Sequence, residues 1–149
     1  MPSHAQKRRL PYRPEQLFDL VADIERYPEF LPWCVACRIT RREGDILWGD
    51  LAVGFKMFRE RFATRVTLAR PERIDVEYIE GPFKFLKNHW AFRPDGPDGA
   101  IIDFYIDFEF RSRVLAAAIS PLFEEAVKRM VDAFERRAAA VYRSEKPAQ

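Results

Sequence analysis

From Val35 to Phe110 large apolar side chains recur at every second position, and beyond Ser112 they recur at helical spacing. This switch constrains the fold more than any other feature, because a period of two belongs to strands and a period near 3.6 to helices. Val35, Cys37 and Ile39 alternate with Ala36, Arg38 and Thr40. After the Gly44-Asp45 turn signal, Leu47, Leu51, Val53 and Phe55 share a parity. Phe58, Phe62, Val66 and Leu68 stand opposite Arg59, Arg61, Ala63, Arg65 and Thr67. Beyond Pro71-Glu72, Ile74, Val76 and Tyr78 alternate with Arg73, Asp75 and Glu77. Beyond Gly81-Pro82, Leu86, Asn88, Trp90 and Phe92 follow on one face. After a loop from Pro94 to Gly99, Ile102, Phe104, Ile106, Phe108 and Phe110 face away from Asp103, Asp107 and Glu109. Six consecutive runs separated by turns predict an antiparallel meander with one buried face.

Residues 3–11 add a short polar edge strand, which makes about seven strands. Pro14 then opens a helix where its missing N–H costs nothing, with Leu17, Leu20, Val21 and Ile24 on one face. Two prolines in Tyr27-Pro28-Glu29-Phe30-Leu31-Pro32 allow only a short helical turn. From Ser112 to about Tyr142 the pattern gives a long helix, kinked or restarted at Ser120-Pro121. A sheet with one apolar face needs a cover, and this helix is the only element large enough. The expected fold is α+β: a curved antiparallel sheet wrapped around a long C-terminal helix, with two short helices after the first strand. All 149 residues read as one domain, ordered from about 3 to 143.

The formal net charge is only +2, from 25 basic and 23 acidic residues, which gives no general footprint for DNA. The longest apolar stretch, Val114 to Ile119, is far too short to span a membrane. Lys7, Arg8 and Arg9 have no apolar segment behind them, so a secretory signal is not expected. The chain holds 13 Phe. More rings point inward than one helix can meet, so a strongly curved sheet would leave a gap. Phe62, Val66, Trp90, Phe104, Phe108, Met130 and Phe134 are expected to line that gap as one continuous pocket, with Phe55 on the same parity.

Two longer blocks carry a resemblance. They are Pro11-Tyr12-Arg13-Pro14-Glu15-Gln16-Leu17-Phe18-Asp19-Leu20-Val21-Ala22-Asp23 and Tyr27-Pro28-Glu29-Phe30-Leu31-Pro32-Trp33-Cys34. Val53-Gly54-Phe55, Phe62-Ala63-Thr64-Arg65-Val66, Gly81-Pro82-Phe83-Lys84, Leu86-Lys87-Asn88-His89-Trp90-Ala91-Phe92 and Phe108-Glu109-Phe110 follow in order. Over about residues 4–140 the chain resembles the coenzyme Q-binding START-type proteins. They belong to the polyketide cyclase and lipid-transport superfamily, which also includes bacterial ribosome-association toxins. The resemblance implies the helix-grip fold and binding of ubiquinone through its isoprenoid tail, with no metal and no catalytic set. Ubiquinone is then a bound ligand and not a cofactor of catalysis. Its head is expected near the Phe30-Leu31-Pro32-Trp33 turn and the Gly81-Pro82 loop.

Other constellations have plainer readings beside functional ones. Trp33-Cys34-Val35-Ala36-Cys37 has the spacing of a redox motif, yet strand follows it, and in a regular strand positions i and i+3 point to opposite faces. The two thiols are therefore expected not to pair, one lying in the core and one partly exposed. His89 has outward parity and reads as a surface residue. Asp103, Asp107 and Glu109 read as a solvated face, and Ser112 and Ser120 as helix caps. Asn88 points inward, and leaving its amide unpaired would cost roughly 1–3 kcal/mol. It either bonds to backbone or donates to a quinone carbonyl. Phe55-Lys56-Met57-Phe58-Arg59 sits at a strand-to-strand turn, where apolar rings beside cations suit a lipid surface. Gly81-Pro82-Phe83-Lys84-Phe85 is a second such loop. For both, rings that fold back onto the core are an equal alternative.

Three functions follow. The first is a ubiquinone chaperone serving respiration or quinone synthesis, cytoplasmic with peripheral contact at the inner face of the membrane. The second is a protein that docks on the large ribosomal subunit through basic residues such as Arg41, Arg42, Arg59, Arg61 and Arg65. The third, a polyketide cyclase or hydratase, needs polar groups converging inside the cavity, and the inward parities supply almost none.

Overall fold

The computed structural model describes residues 3–31, 34–55, 58–119, 121 and 123–142. Strand β1 (Ser3–Leu10) is followed by helix α1 (Pro14–Ala22) and a 3₁₀ segment (Ile24–Glu29). Six strands come next: β2 (Cys34–Glu43), β3 (Ile46–Phe55), β4 (Phe58–Ala69), β5 (Arg73–Glu80), β6 (Phe83–Pro94) and β7 (Ala100–Phe110). Helices α2 (Arg113–Ile119) and α3 (Phe123–Tyr142) close the chain. The seven strands form one antiparallel sheet in the order β1-β7-β6-β5-β4-β3-β2. The meander is intact, and β1 returns to pair with β7 at the far edge.

The register places the alternating apolar residues on one face. Trp90 stands opposite Phe104 and Ile74, Leu86 opposite Phe108, and Val66 opposite Leu47 and Val76. Each pair lies side by side on the same surface of the pleat. Helix α3 covers this surface with Val127, Met130, Val131, Phe134 and Ala138, all buried.

The helices start and dock where their ends find partners. The Arg13 backbone N–H donates to the Gln16 side chain at 2.9 Å. Ser112 Oγ accepts from the Leu115 N–H at 3.1 Å and caps α2. The expected kink falls between Ile119 and Phe123, where one helix stops and the next begins; Ser120 itself lies outside the described residues. Arg8 reaches Asp132 at 2.9 Å, tying β1 to α3. The Tyr142 hydroxyl donates to the Gln16 carbonyl at 2.6 Å, tying the end of α3 to α1.

Register shifts also occur in the β4–β5 and β6–β7 pairings, but the departure that changes a side-chain expectation is in β2. Cys34 pairs with Val53, but Ala36 pairs with Ala52, so Val35 is an extra residue in a bulge. The bulge shifts parity by one, and Cys34 and Cys37 fall on the same face. Their sulfurs lie 2.7 Å apart. The expectation that the thiols point apart is therefore corrected: it holds for a regular strand, and this one is not regular.

Candidate functional site

A cavity of about 220 Å³ opens between the sheet and the helices. Strands β3 and β4 supply Val53, Gly54, Glu60 and Phe62. The β5–β6 turn and the start of β6 supply Pro82, Phe83 and Leu86, and β7 supplies Phe104, Ile106, Phe108 and Phe110. Helix α2 contributes Leu115 and Ile119, and α3 contributes Ala126, Val127 and Met130. Of these side chains only that of Glu60 is polar.

The walls are built by register. Val53 faces Glu60 across β3–β4, and Leu86 faces Phe108 across β6–β7. Phe83 organises one side. Its ring centroid lies 5.0 Å from Phe110, 5.3 Å from Phe108, and 5.5 Å from both Phe62 and Tyr78. Its backbone N–H donates to the Tyr78 hydroxyl at 3.0 Å. Gly81 permits this turn. It has φ +147°, and a Cβ there would sit 2.5 Å from Cβ of Phe62.

The residues expected to share one pocket separate into two groups. Phe62, Phe104, Phe108 and Met130 line the cavity. Val66, Trp90 and Phe134 are buried in the packed core outside its lining. There Trp90 touches Phe104 at 4.6 Å and Phe134 at 5.2 Å, and Phe134 meets Phe30 at 5.1 Å. Leu31 is buried, and neither it nor Phe30 lines the cavity. Pro82 of the second expected segment does line it, while Pro32 and Trp33 of the first lie outside the described residues. Asn88 donates its amide to the Tyr105 carbonyl at 2.8 Å, the backbone bond of its two alternatives.

At the β3–β4 turn, Phe55 pairs with Phe58 and Arg59 is exposed. Trp33, Lys56 and Met57 lie outside the described residues, as do the side chains of Phe55 and Phe58. Phe83 of the second loop folds back into the core and is 7% exposed.

Sequence patterning passed over Glu60, which shares the parity of Phe58 and Phe62 but carries a charge. It also passed over Val53, Leu115, Ile119, Ala126 and Val127. Their apolar spacing was visible, but not which depth of the sheet stays open.

The groups whose ionisation is shifted lie beside the cavity and not within its lining. The hydrogen bond with Cys37 holds the Cys34 thiol below its usual range, against the effect of burial. The same hydrogen bond, with burial, pushes Cys37 up. Burial also raises Tyr27, and Cys37 and Cys34 beside it add to the shift. Its hydroxyl donates to the Val21 carbonyl. On the outer face His89 stacks on Tyr105 at 5.3 Å, and burial, then Arg73, hold it below the usual histidine range. No group of three His, Cys, Asp or Glu among the described residues is placed to hold a metal ion. No helix among them is long and apolar enough to cross a membrane.

A seven-stranded meander closed over a long helix, with an apolar cavity between them, invites comparison with known proteins. The model of the family described as polyketide cyclase / dehydrase and lipid transport matches residues 10–135. The chain belongs to this family. Within it, the chain is 39% identical over 136 residues to the ribosome association toxin RatA of Rickettsia prowazekii, covering 89% of this chain and 92% of that one. It is 32% identical over 143 residues to the coenzyme Q-binding protein COQ10 homolog B, mitochondrial, of Xenopus laevis. That match spans 93% of this chain and 59% of the relative. Both relatives are named as a toxin or a quinone-binding protein, not as enzymes. The crystal structure of the Zhui aromatase/cyclase from a Streptomyces species superposes with a TM-score of 0.85 at 13% identity. It covers 99% of both chains and shares the polyketide cyclase and lipid-transport fold.

Proposed function

We propose that the protein binds a polyprenyl lipid, ubiquinone being the best candidate, in the cavity between the sheet and helices α2 and α3, and that it carries this ligand without transforming it. The observation behind this reading is the apolar lining, broken only by Glu60. An isoprenoid tail has no polar atoms, so such a wall holds it by buried area, at roughly 25 cal/mol per Å² before ordering costs. A cyclase would need several polar groups converging on its substrate, and one carboxylate does not make such a set. The cavity's 220 Å³ falls below the ~300–1,000 Å³ of common small-molecule sites. It therefore takes a segment of the ligand, and the rest extends past the rim. The coenzyme Q-binding relative supports the choice of ligand.

Ribosome association is the second reading. It rests on the likeness to the RatA toxin and on arginines shared by the outer face of β2 and β4. On that face Arg41 stacks over Trp48 at 4.7 Å, while Arg65 pairs with Glu77. Organic extraction of the purified protein, followed by mass spectrometry, tests the first reading. Co-purified quinone, or another polyprenyl lipid near one per chain, is the expected result. A lipid-free protein that takes up no quinone, and that shifts ribosome profiles on overexpression, would replace the first reading with the second.

A further inference from the structure

The bulge in β2 sets up chemistry that the lipid reading does not use. Cys34 faces Val53 and Cys37 faces Leu51 on β3, so both thiols share the inner face at the edge of the sheet. Their sulfurs are 2.7 Å apart, and a disulfide needs about 2.05 Å. A small closing movement joins them. The extra residue that allows it, Val35, is 55% exposed, and among the described residues no further strand pairs with β2 on its other edge, where the 3₁₀ segment bonds it through Glu25 to the Ile39 N–H. We propose that Cys34 and Cys37 form a reversible dithiol–disulfide site that exchanges with low-molecular-weight disulfides of the glutathione class.

The two sulfurs differ in access. Cys34 is buried, at 5% exposure, while Cys37 is half-buried and sits between exposed Ala36 and Arg38. Either sulfur can donate to the other across this contact, so once the pair has lost one proton the remaining one can pass to Cys34 and leave the thiolate on the more accessible Cys37. The pair first loses one proton to solvent. The Cys37 sulfur then attacks one sulfur of oxidised glutathione and breaks its S–S bond. The first glutathione leaves as a thiolate and takes up a proton. The Cys34 sulfur next attacks the Cys37 sulfur, and the second glutathione leaves with the proton that Cys34 gives up. Two protein thiols lose two electrons, and one glutathione disulfide becomes two glutathione thiols. Buried Cys34 is thus the resolving residue. The exchange proceeds whether or not the cavity holds a ligand.

The test uses the full chain, reduced and then equilibrated with oxidised glutathione under native conditions, trapped with an alkylating reagent and weighed intact. The expected product has lost two hydrogens, carries no alkyl group and no glutathione, and returns to two free thiols in excess reduced glutathione. Cys34→Ser should instead retain one glutathione, mapped to Cys37. Cys37→Ser should be modified at least tenfold more slowly. In urea the same chain, at the same glutathione ratio, should form at least tenfold less internal disulfide, because the fold no longer holds the sulfurs together. The proposal fails if the native wild type keeps both thiols or accumulates stable glutathione adducts without the internal bond. It also fails if the native and urea-treated chains close equally. These wild-type results decide the matter even where a serine variant does not fold.

Discussion

The two ends of the sheet are made of the same kinds of residue and packed in opposite ways. At the end bounded by the turns at residues 44–45, 71–72 and 95–99, rings meet rings. Phe18 of α1 packs on Phe92 at 5.8 Å, and Trp90 and Phe134 fill the space beside them. At the end bounded by residues 56–57 and 81–82, Phe62, Phe108 and Phe110 face a cavity. Helix α3 accounts for much of the difference. It presents Phe134 to the filled end but Ala126 and Val127 to the hollow one. Helix α1 packs against β5, β6 and α3 and supplies none of the residues that line the cavity. A protein interior normally reaches crystal-like density. A hollow left beside well-packed rings is therefore a local property of the sequence and not a general looseness.

Phe104 stands on the boundary, touching Trp90 and lining the cavity, and changing it should have the largest effect. Phe104→Asp removes a ring, which alone costs about 3–5 kcal/mol, and leaves a carboxylate in an apolar wall. Against a typical total of about 5–15 kcal/mol, both lipid and much of the folded population should be lost. Phe104→Leu keeps the wall apolar and should retain most lipid, as read by extraction and mass spectrometry. Equal lipid loss in the two variants would mean that shape, and not apolarity, holds the ligand.

Truncation elsewhere should separate the ends by size of effect. Phe92→Ala, in the filled end, should cost about 3–5 kcal/mol by denaturant unfolding. Phe110→Ala, half-buried at the cavity rim, should cost less than half as much. Similar losses would erase the distinction.

Enlargement should separate them by sign. Ala126→Leu places atoms in existing space and should leave stability unchanged or raise it by up to about 1–2 kcal/mol. Ala138→Leu, where Ala138 is fully buried, overpacks and should cost about 1–3 kcal/mol. The smallest effect concerns the β3–β4 turn at the hollow end. Lys56→Glu with Arg59→Glu should weaken co-sedimentation with anionic vesicles by about 1 kcal/mol per residue without affecting unfolding.

Alternation alone foretold the meander, the inner face and the covering helix, because period and parity are local properties of the chain. Parity alone places Leu86, Trp90, Phe104 and Phe108 on that inner face; which residue stands opposite which comes from the register. What alternation cannot encode is depth along a strand. Trp90 and Leu86 share a parity, yet one is packed solid and the other borders the cavity, and the choice depends on α1 and α3, distant in sequence. The same limit explains Glu60, whose position matched the inner face while its charge argued for the outer one. The thiol pair escaped for a different reason. A bulge adds one residue and reverses parity, and nothing in Cys34-Val35-Ala36-Cys37 announces it.

The central claim is that the hollow end is a binding site for an apolar ligand, and equilibrium titration with a short-tailed ubiquinone tests it most directly. Wild type should bind saturably near one per chain. Ala126→Leu, with unfolding stability at least that of wild type, should bind at least tenfold more weakly, because its side chain occupies the space the ligand needs. No saturable uptake by wild type, or equal uptake by wild type and Ala126→Leu, would contradict the account.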